Sequence, residues 1–516
     1  MKENTSRTKK TAVNTAFSVA SQGLTIVLNF VLRTAFIKIL GDQYTGVSSV
    51  FTTVLTMLSL TELGFSTAIA TSLYSPLKEK DTGTIRQLMA FYRNAYRVVA
   101  GIVFSVGLLL IPFLNYIIKD VPDIKENIIV VYVFYLVKSA ASYLMIYKTT
   151  LLVADQKAYV VKKLEMLCLL VRYTVEVIAL LIFRNYMAYL VIEVIATILQ
   201  NYVVTKRAEK AYPEAFEKPE VPLPKERVRS LFRDVKGLSM YKISGTIGNS
   251  IDTMLISAFI NTATTTLVGN YTLIKTSVKN VLMQFFTAVI PSVGNLAAEK
   301  DSHKQEIVFN RLFYISFLMV NFCSVGLYVL SKPFIRVWLG EEYILGQDIA
   351  FVIAFDFFLY ILLQAIASFR TANGLFVKGQ YRPLITTIIN VGLSFLLIIK
   401  YGIFGTVLAT IIARLLSQWY DPYLLYRYIF HIPFRRFYLK YWYYILIFVS
   451  GAFLTEYVIS LVSLEGIISN LILSAVITMI LPNLWAVLFT FWTAEFKYVK
   501  KLAGRVLHGK KRKMEE

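Results

Sequence analysis

Apolar runs of roughly 20 residues recur from end to end of this 516-residue chain, and roughly 20 is the number a helix needs to cross a ~30 Å hydrocarbon layer. The runs fall at about 13–37, 47–70, 98–118, 127–147, 164–183, 186–205, 238–260, 268–293, 309–331, 348–369, 383–400, 403–426, 440–460 and 468–493. The pattern predicts an all-α polytopic membrane protein of about fourteen transmembrane helices. Composition agrees: 56% of the residues are hydrophobic, more than the 45–50% or so of soluble domains. The longest polar segment, around Lys206 to Lys236, contains Pro213, Pro219, Pro222 and Pro224 and reads as a linker. The polar N-terminus leads into a long helix carrying Arg33, so no cleavable signal is expected there.

Basic residues then orient the chain. With the N-terminus inside, the external loops hold only Lys38, Lys119, Lys125, Arg184, Lys332, Arg336 and Lys400 of the 54 Lys and Arg. Most of the others fall in cytoplasmic segments, a bias that predicts both termini in the cytoplasm and an even number of crossings. The net charge of +22 accordingly reports topology and anionic lipid headgroups as partners, not nucleic acid. Two cytoplasmic stretches have the pattern of helices lying in the headgroup plane. One carries Ile85, Leu88, Met89, Tyr92 and Tyr96; the other carries Phe496, Val499, Leu502 and Val506 among basic residues.

An internal repeat appears at a spacing of about 220 residues. Glu79-Lys80-Asp81 recurs as Glu299-Lys300-Asp301, and Ser105-Val106-Gly107-Leu108 as Ser324-Val325-Gly326-Leu327. Pro112-Phe113 recurs as Pro333-Phe334, and Lys148-Thr149 as Arg370-Thr371. Six helices per repeat is an even number, so both halves should enter the membrane the same way, related by a pseudo-twofold axis along its normal with the substrate path between them. The organisation read from this is an N-lobe at 1–205, a cytoplasmic linker at 206–237, a C-lobe at 238–426, and two further helices with a basic tail at 427–516.

Polar residues inside the spans mark candidate function. The first span carries a helical stripe through Asn14, Ser18, Gln22, Thr25, Asn29 and Arg33, on one face of an otherwise apolar helix. The seventh repeats it through Lys242, Gly245, Asn249 and Asp252, and the second adds Thr52 and Thr56. Gln22, Thr25, Asn29, Thr52, Thr56 and Asn249 are read as polar cavity lining. A charge within a span costs ~2.5–3.5 kcal/mol on insertion scales, so it usually faces a cavity or a partner. The cations are Arg33, Lys138, Arg172, Lys242, Lys275, Lys279 and Arg414; the acids include Glu62, Glu165, Glu176, Glu193, Asp252, Asp356 and Asp421. Arg172 and Glu176 have the spacing of a structural i, i+4 pair, and Lys242 is close enough to the cytoplasmic face to snorkel. Lys275 and Lys279 are like charges one turn apart with no acid within four residues, a pair that an arriving anion would relieve. Glu62, Asp252 and Asp356 are candidates for ion coupling, or static partners of nearby cations.

Other chemistries lack their residues. Cys168 and Cys323 lie inside apolar runs, and with His303, His431 and His508 they supply no metal-ligand cluster. Gly504 to Lys510 has phosphate-loop spacing, but Lys511 replaces the Ser or Thr that such a loop requires. Neither a cofactor nor a catalytic set is expected.

A polar first helix ending in Arg33 and then Leu40-Gly41, Gly46 opening the second helix, and Leu58-Ser59-Leu60-Thr61-Glu62-Leu63-Gly64-Phe65 together resemble the Wzx-type polysaccharide-unit flippases. These belong to the multidrug/oligosaccharidyl-lipid/polysaccharide exporter superfamily. The resemblance implies a MATE-like fold of two six-helix lobes plus two C-terminal helices in the bacterial cytoplasmic (inner) membrane. It also implies translocation of an undecaprenyl-pyrophosphate-linked oligosaccharide by alternating access, beside other polysaccharide-assembly membrane proteins. A cationic cavity would then meet the pyrophosphate. Arg33 and Leu63-Gly64 carry over by motif; Lys275, Lys279, Lys138, Arg414 and Lys242 are assigned from charge and spacing. A lipid II or teichoic-acid precursor flippase, a cation-coupled multidrug antiporter of the same fold, and a membrane-embedded transferase stay open.

Overall fold

Four helices of this protein begin at a polar cap, where Asp81, Asn127, Asn185 and Asp301 each accept from an amide of the first turn. The computed structural model describes residues 2–59, 65–119, 122–155, 157–299, 301–375, 378–462, 464, 466–502 and 504, with the backbone course alone at 2–19, 65–67, 158, 233–242 and 249. Every regular element among them is helical. Two compact units divide the chain, Met1–Gly269 and Asn270–Glu516.

The first unit contains α1 (Lys2–Leu40), α2 (Asp42–Leu58), α3 (Phe65–Glu79), α4 (Thr82–Leu109), α5 (Leu114–Ile117), α6 (Ile128–Ile146), α7 (Thr149–Ala154), α8 (Ala158–Phe183), α9 (Tyr186–Ala211) and α10 (Lys225–Phe259). It also holds the first turns of α11 (Thr262–Ala298). Gly41, at φ 105°, makes the single-residue turn from α1 to α2, a conformation that a β-carbon disfavours. Five residues on, a β-carbon at Gly46 would lie 2.2 Å from the Thr262 carbonyl oxygen. The contact locks α2 against the start of α11, and Thr266 Oγ1 reinforces it by donating to the Asp42 carbonyl at 2.7 Å. Around Phe51 the core is aromatic, with Tyr132, Tyr135 and Tyr186 fully enclosed.

The second unit continues α11 and adds α12 (Ser302–Trp338), α13 (Gln347–Leu362), α14 (Gln364–Ala372), α15 (Arg382–Ser417), α16 (Tyr420–Leu425), α17 (Arg435–Leu461) and α18 (Ile467–Thr490). α12 packs against α13, α17 and α18. Stacked rings join α17 to two neighbours: Phe317 of α12 on Tyr444 at 4.1 Å and Phe358 of α13 on Phe448 at 4.3 Å. α15 breaks at Gly402 (φ 55°, ψ −134°) into two arms.

The repeat is visible in how helices begin. Asp81 caps α4 by accepting from the Thr84 amide at 2.9 Å, and Asp301 caps α12 by accepting from the Lys304 amide at 2.9 Å. The duplicated Glu-Lys-Asp is therefore a duplicated helix start. Outward faces are apolar, with Ile182, Leu396, Leu446 and Ile468 about two-thirds exposed, as suits lipid and not water.

The span count is not confirmed, and one expectation changes. Among the described residues ten helices are long and apolar enough to cross a membrane, or eleven if the pair Thr82–Leu109 and Ile111–Ile117, bent by 43°, counts as one. Part of the difference from fourteen is that Arg382–Phe430 passes as one stretch although its backbone turns at Gly402. Part lies at 60–64, within the expected second span but outside the described residues. The stretch around Leu88 and Tyr92 does not lie free in the headgroup plane either. It is the first half of α4, and Leu88, Met89, Tyr92 and Tyr96 are buried against Ile69, Leu73, Tyr143 and Leu151. An amphipathic face shows that a helix has an apolar partner, and here that partner is protein.

Candidate functional site

Among the described residues, each unit buries charge in a network between helices, around Glu193 in the first and around Asp356 in the second, and these two differ in balance. In the first unit α6, α8 and α9 bring together Lys138, Arg172, Glu176 and Glu193. The i, i+4 spacing on α8 places Arg172 Nε 2.7 Å from Glu176 Oε1. Glu193, reaching in from α9, accepts at one oxygen from Lys138 Nζ at 2.7 Å and Arg172 Nη2 at 3.0 Å. Two cations meet two carboxylates, so the network is formally neutral. Tyr173 on α8 donates to Asn29 Oδ1 at 2.5 Å, fastening α1 to α8.

In the second unit the carboxylate of Asp356 on α13 accepts from Arg414 on α15, at 2.8 Å from Nη2 and 3.0 Å from Nε. Lys275 on α11 stands 3.5 Å from its other oxygen. One turn further along both helices, the Lys279 ammonium lies 5.3 Å from the centre of the Tyr360 ring, and the Arg414 guanidinium 5.1 Å from the same ring. Among the described residues Lys279 forms no ion pair. Three cations thus gather on one carboxylate and one aromatic face. The cluster carries two positive charges in excess, where an anion would be attracted and then held by mobile ammonium groups. Cation–π contact with Tyr360 lowers the cost of holding that charge without a carboxylate.

The remaining candidates are placed as follows. Arg33 Nη2 donates to the Thr266 carbonyl at 3.1 Å, and a β-carbon on Gly269 would come within 2.9 Å of that nitrogen. The Thr25 hydroxyl is turned back to the Ser21 carbonyl at 2.7 Å, and Thr56 to that of Thr52 at 2.7 Å. Thr52 and Thr56 are exposed, Gln22 half-buried, and Asp252 half-buried on α10. Glu62, Leu63 and Gly64 lie outside the described residues, as do the side chains of Lys242 and Asn249. Spacing along the chain did not reveal Tyr360, nor the approach of Asp356 to Lys275 and Arg414. The available signal was an acid in an otherwise apolar span with a tyrosine four residues on.

An ion pair also recurs between the halves, at the position where Lys148-Thr149 matches Arg370-Thr371. Lys148 pairs with Glu209 at the end of α9, and Arg370 pairs with Asp421 on α16. Arg382 adds a second cation to Asp421 at 3.0 Å. Beside the first of these, Lys157 bonds Asp155 (2.7 Å) and Tyr212, which hold its ammonium above its usual range.

Ten or eleven helices apolar enough to cross a membrane among the described residues, with charge buried between them, define a multi-pass helical membrane protein. The chain belongs to the polysaccharide biosynthesis protein family, whose model matches residues 11–297. No curated protein matches its sequence. Its structure is similar to that of the lipid II flippase MurJ in an inward closed conformation, with TM-score 0.65 and 15% identity over 92% of this chain and 98% of that one. A similar structure is the inward-facing form of a multidrug resistance MATE family transporter of the MOP superfamily, with TM-score 0.61 and 12% identity over 78% and 95%. A variant of the Vibrio cholerae MATE transporter VcmN is also similar, with TM-score 0.56 and 11% identity over 81% and 97%. At such identities the likeness is one of fold.

Proposed function

We propose that this protein flips undecaprenyl-pyrophosphate-linked oligosaccharide units from the cytoplasmic to the outer leaflet of the bacterial cytoplasmic membrane, for assembly of an extracellular polysaccharide. Both termini are cytoplasmic in this reading, and the substrate, anionic lipids and other assembly proteins of the membrane are its partners. The observation that carries it is the excess of positive charge at Lys275, Lys279 and Arg414 around the single carboxylate of Asp356. A pyrophosphate crossing a low-dielectric region loses its hydration, and cations lining the path replace it. The balanced network of Lys138, Arg172, Glu176 and Glu193 has no such excess and serves to hold α6, α8 and α9 together. Membership of the polysaccharide biosynthesis family supports a lipid-linked sugar as cargo.

A lipid II flippase shares the same pyrophosphate, and the likeness to MurJ over nearly the whole chain keeps that reading beside the first. In proteoliposomes, Lys275→Ala with Lys279→Ala should insert normally but lose flipping of a pyrophosphate-linked oligosaccharide, while a single Lys→Arg change keeps part of it. Cells carrying the double variant should accumulate lipid-linked sugar on the cytoplasmic side. A fully active, normally expressed double variant removes the pair from the substrate path and overturns the reading. Faster flipping of lipid II than of other lipid-linked sugars selects the second cargo.

A further inference from the structure

Asp356 sits where an anionic substrate would have to bind. It is buried, both of its oxygens face cations, and those cations, Arg414 and Lys275, come from two other helices. The two contacts are unequal. Arg414 makes a two-pronged charge-assisted contact at 2.8 and 3.0 Å, whereas Lys275 stands off at 3.5 Å. Lys279, one turn away, has a ring instead of a carboxylate. The cluster is thus graded from a strongly held cation to a weakly held one to one that has no ion pair among the described residues.

Such a gradient suits a group that must be captured and then let go. A pyrophosphate linking a lipid to a sugar carries one negative charge on each phosphate, which matches the two positive charges that Asp356 leaves uncompensated. Without the carboxylate there would be three, and a buried tripositive pocket would hold the same anion too firmly to turn over. With it, each approach of the phosphates toward Arg414 and Lys275 is an approach to a like charge, which repels them.

We propose that Asp356 is a resident competitor anion: it shares Arg414 and Lys275 with the substrate's pyrophosphate, weakens loading, and drives release by reclaiming both cations. Asp356 is a positioning residue for the substrate and acts through the cations. The proposal rests on the flippase reading, and its test separates the two. A static counter-ion needed only for folding would, once removed from an inserted protein, leave the maximal flipping rate unchanged. A competitor, once removed, leaves affinity higher and release slower.

The test measures inorganic pyrophosphate binding to the purified full-length protein by equilibrium dialysis, and flipping of a pyrophosphate-linked oligosaccharide in proteoliposomes. Asp356→Asn should bind pyrophosphate at least about tenfold more tightly, the equivalent of roughly 1.4 kcal/mol. Its half-saturating substrate concentration and its maximal flipping rate should both fall. Asp356→Glu should return both toward wild type. Asp356→Ser, which leaves room for water, is the second variant in case the amide does not insert as a monodisperse protein. Equal or weaker binding by the inserted variants, with binding still lost in Lys275→Ala/Lys279→Ala, overturns the role of Asp356 and leaves the flippase reading standing. If wild type and variants alike fail to bind pyrophosphate, both fall.

Discussion

Replacing Glu193 by Gln separates structural charge from substrate-handling charge. One oxygen of Glu193 serves both Lys138 at 2.7 Å and Arg172 at 3.0 Å. At an effective dielectric near 20 each contact is worth roughly 6 kcal/mol before desolvation is counted. Removing one partner of a buried pair leaves a net cost of about 3–5 kcal/mol, because the remaining charge stays buried and uncompensated. After the substitution Arg172 keeps Glu176 while Lys138 loses its carboxylate, so Glu193→Gln should lower the free energy of unfolding in detergent by about that amount. Adding Lys138→Met removes the surplus charge and should recover most of the loss. Denaturant titration of the wild type, both single variants and the double variant completes the cycle, with flipping measured on the double variant. The reasoning fails if Glu193→Gln unfolds like wild type. It fails equally if the double variant is stable yet as inactive as Lys275→Ala/Lys279→Ala, because the first network would then belong to the substrate path.

Three further outcomes follow. Gly46→Ala should cost about 1–3 kcal/mol by overpacking, since its β-carbon would meet the Thr262 carbonyl oxygen at 2.2 Å; an unchanged melting temperature would contradict that approach. Hydrogen bonds from the Thr84 hydroxyl and amide hold the exposed Asp81 carboxyl below its ordinary 3.8. Its capping contribution is therefore fully present above that value and lost as the pH falls through the lowered one, so the melting difference between wild type and Asp81→Ala should shrink only in that acid range. Single cysteines at Thr264 and Glu465 should label from outside the cell, and those at Lys218 and Lys510 only after permeabilisation; external labelling at Lys218 would invert the topology.

The first helix and the headgroup-plane assignment show where sequence reasoning succeeds and stops. Gln22, Thr25, Asn29 and Arg33 form one face because a helix has a fixed period, and that face is legible without coordinates. Which of them remains open to a cavity is not legible: Asn29 accepts from Tyr173, and Arg33 donates to the Thr266 carbonyl. The face of Leu88 and Tyr92 was legible too, but whether lipid or protein covers it depends on what the chain packs there.

Span character, the internal sequence repeat and the bias of basic residues are written in the sequence itself. They arise from properties that act locally: the length of an apolar run against the thickness of a bilayer, the helical period, and the side of the membrane on which a loop is retained. The duplicated cap at Asp81 and Asp301 is of this kind, because a cap reaches only three residues along its own chain. The charge balance of the two buried networks was decided by tertiary structure alone. Lys275 and Asp356 lie far apart in sequence, as do Lys138 and Glu193, and no periodicity states which carboxylate meets which cation. Coulomb energy depends on distance in space, so only the packing of α11, α13 and α15 could leave an excess of positive charge beside Tyr360, and only that of α6, α8 and α9 could cancel it around Glu193.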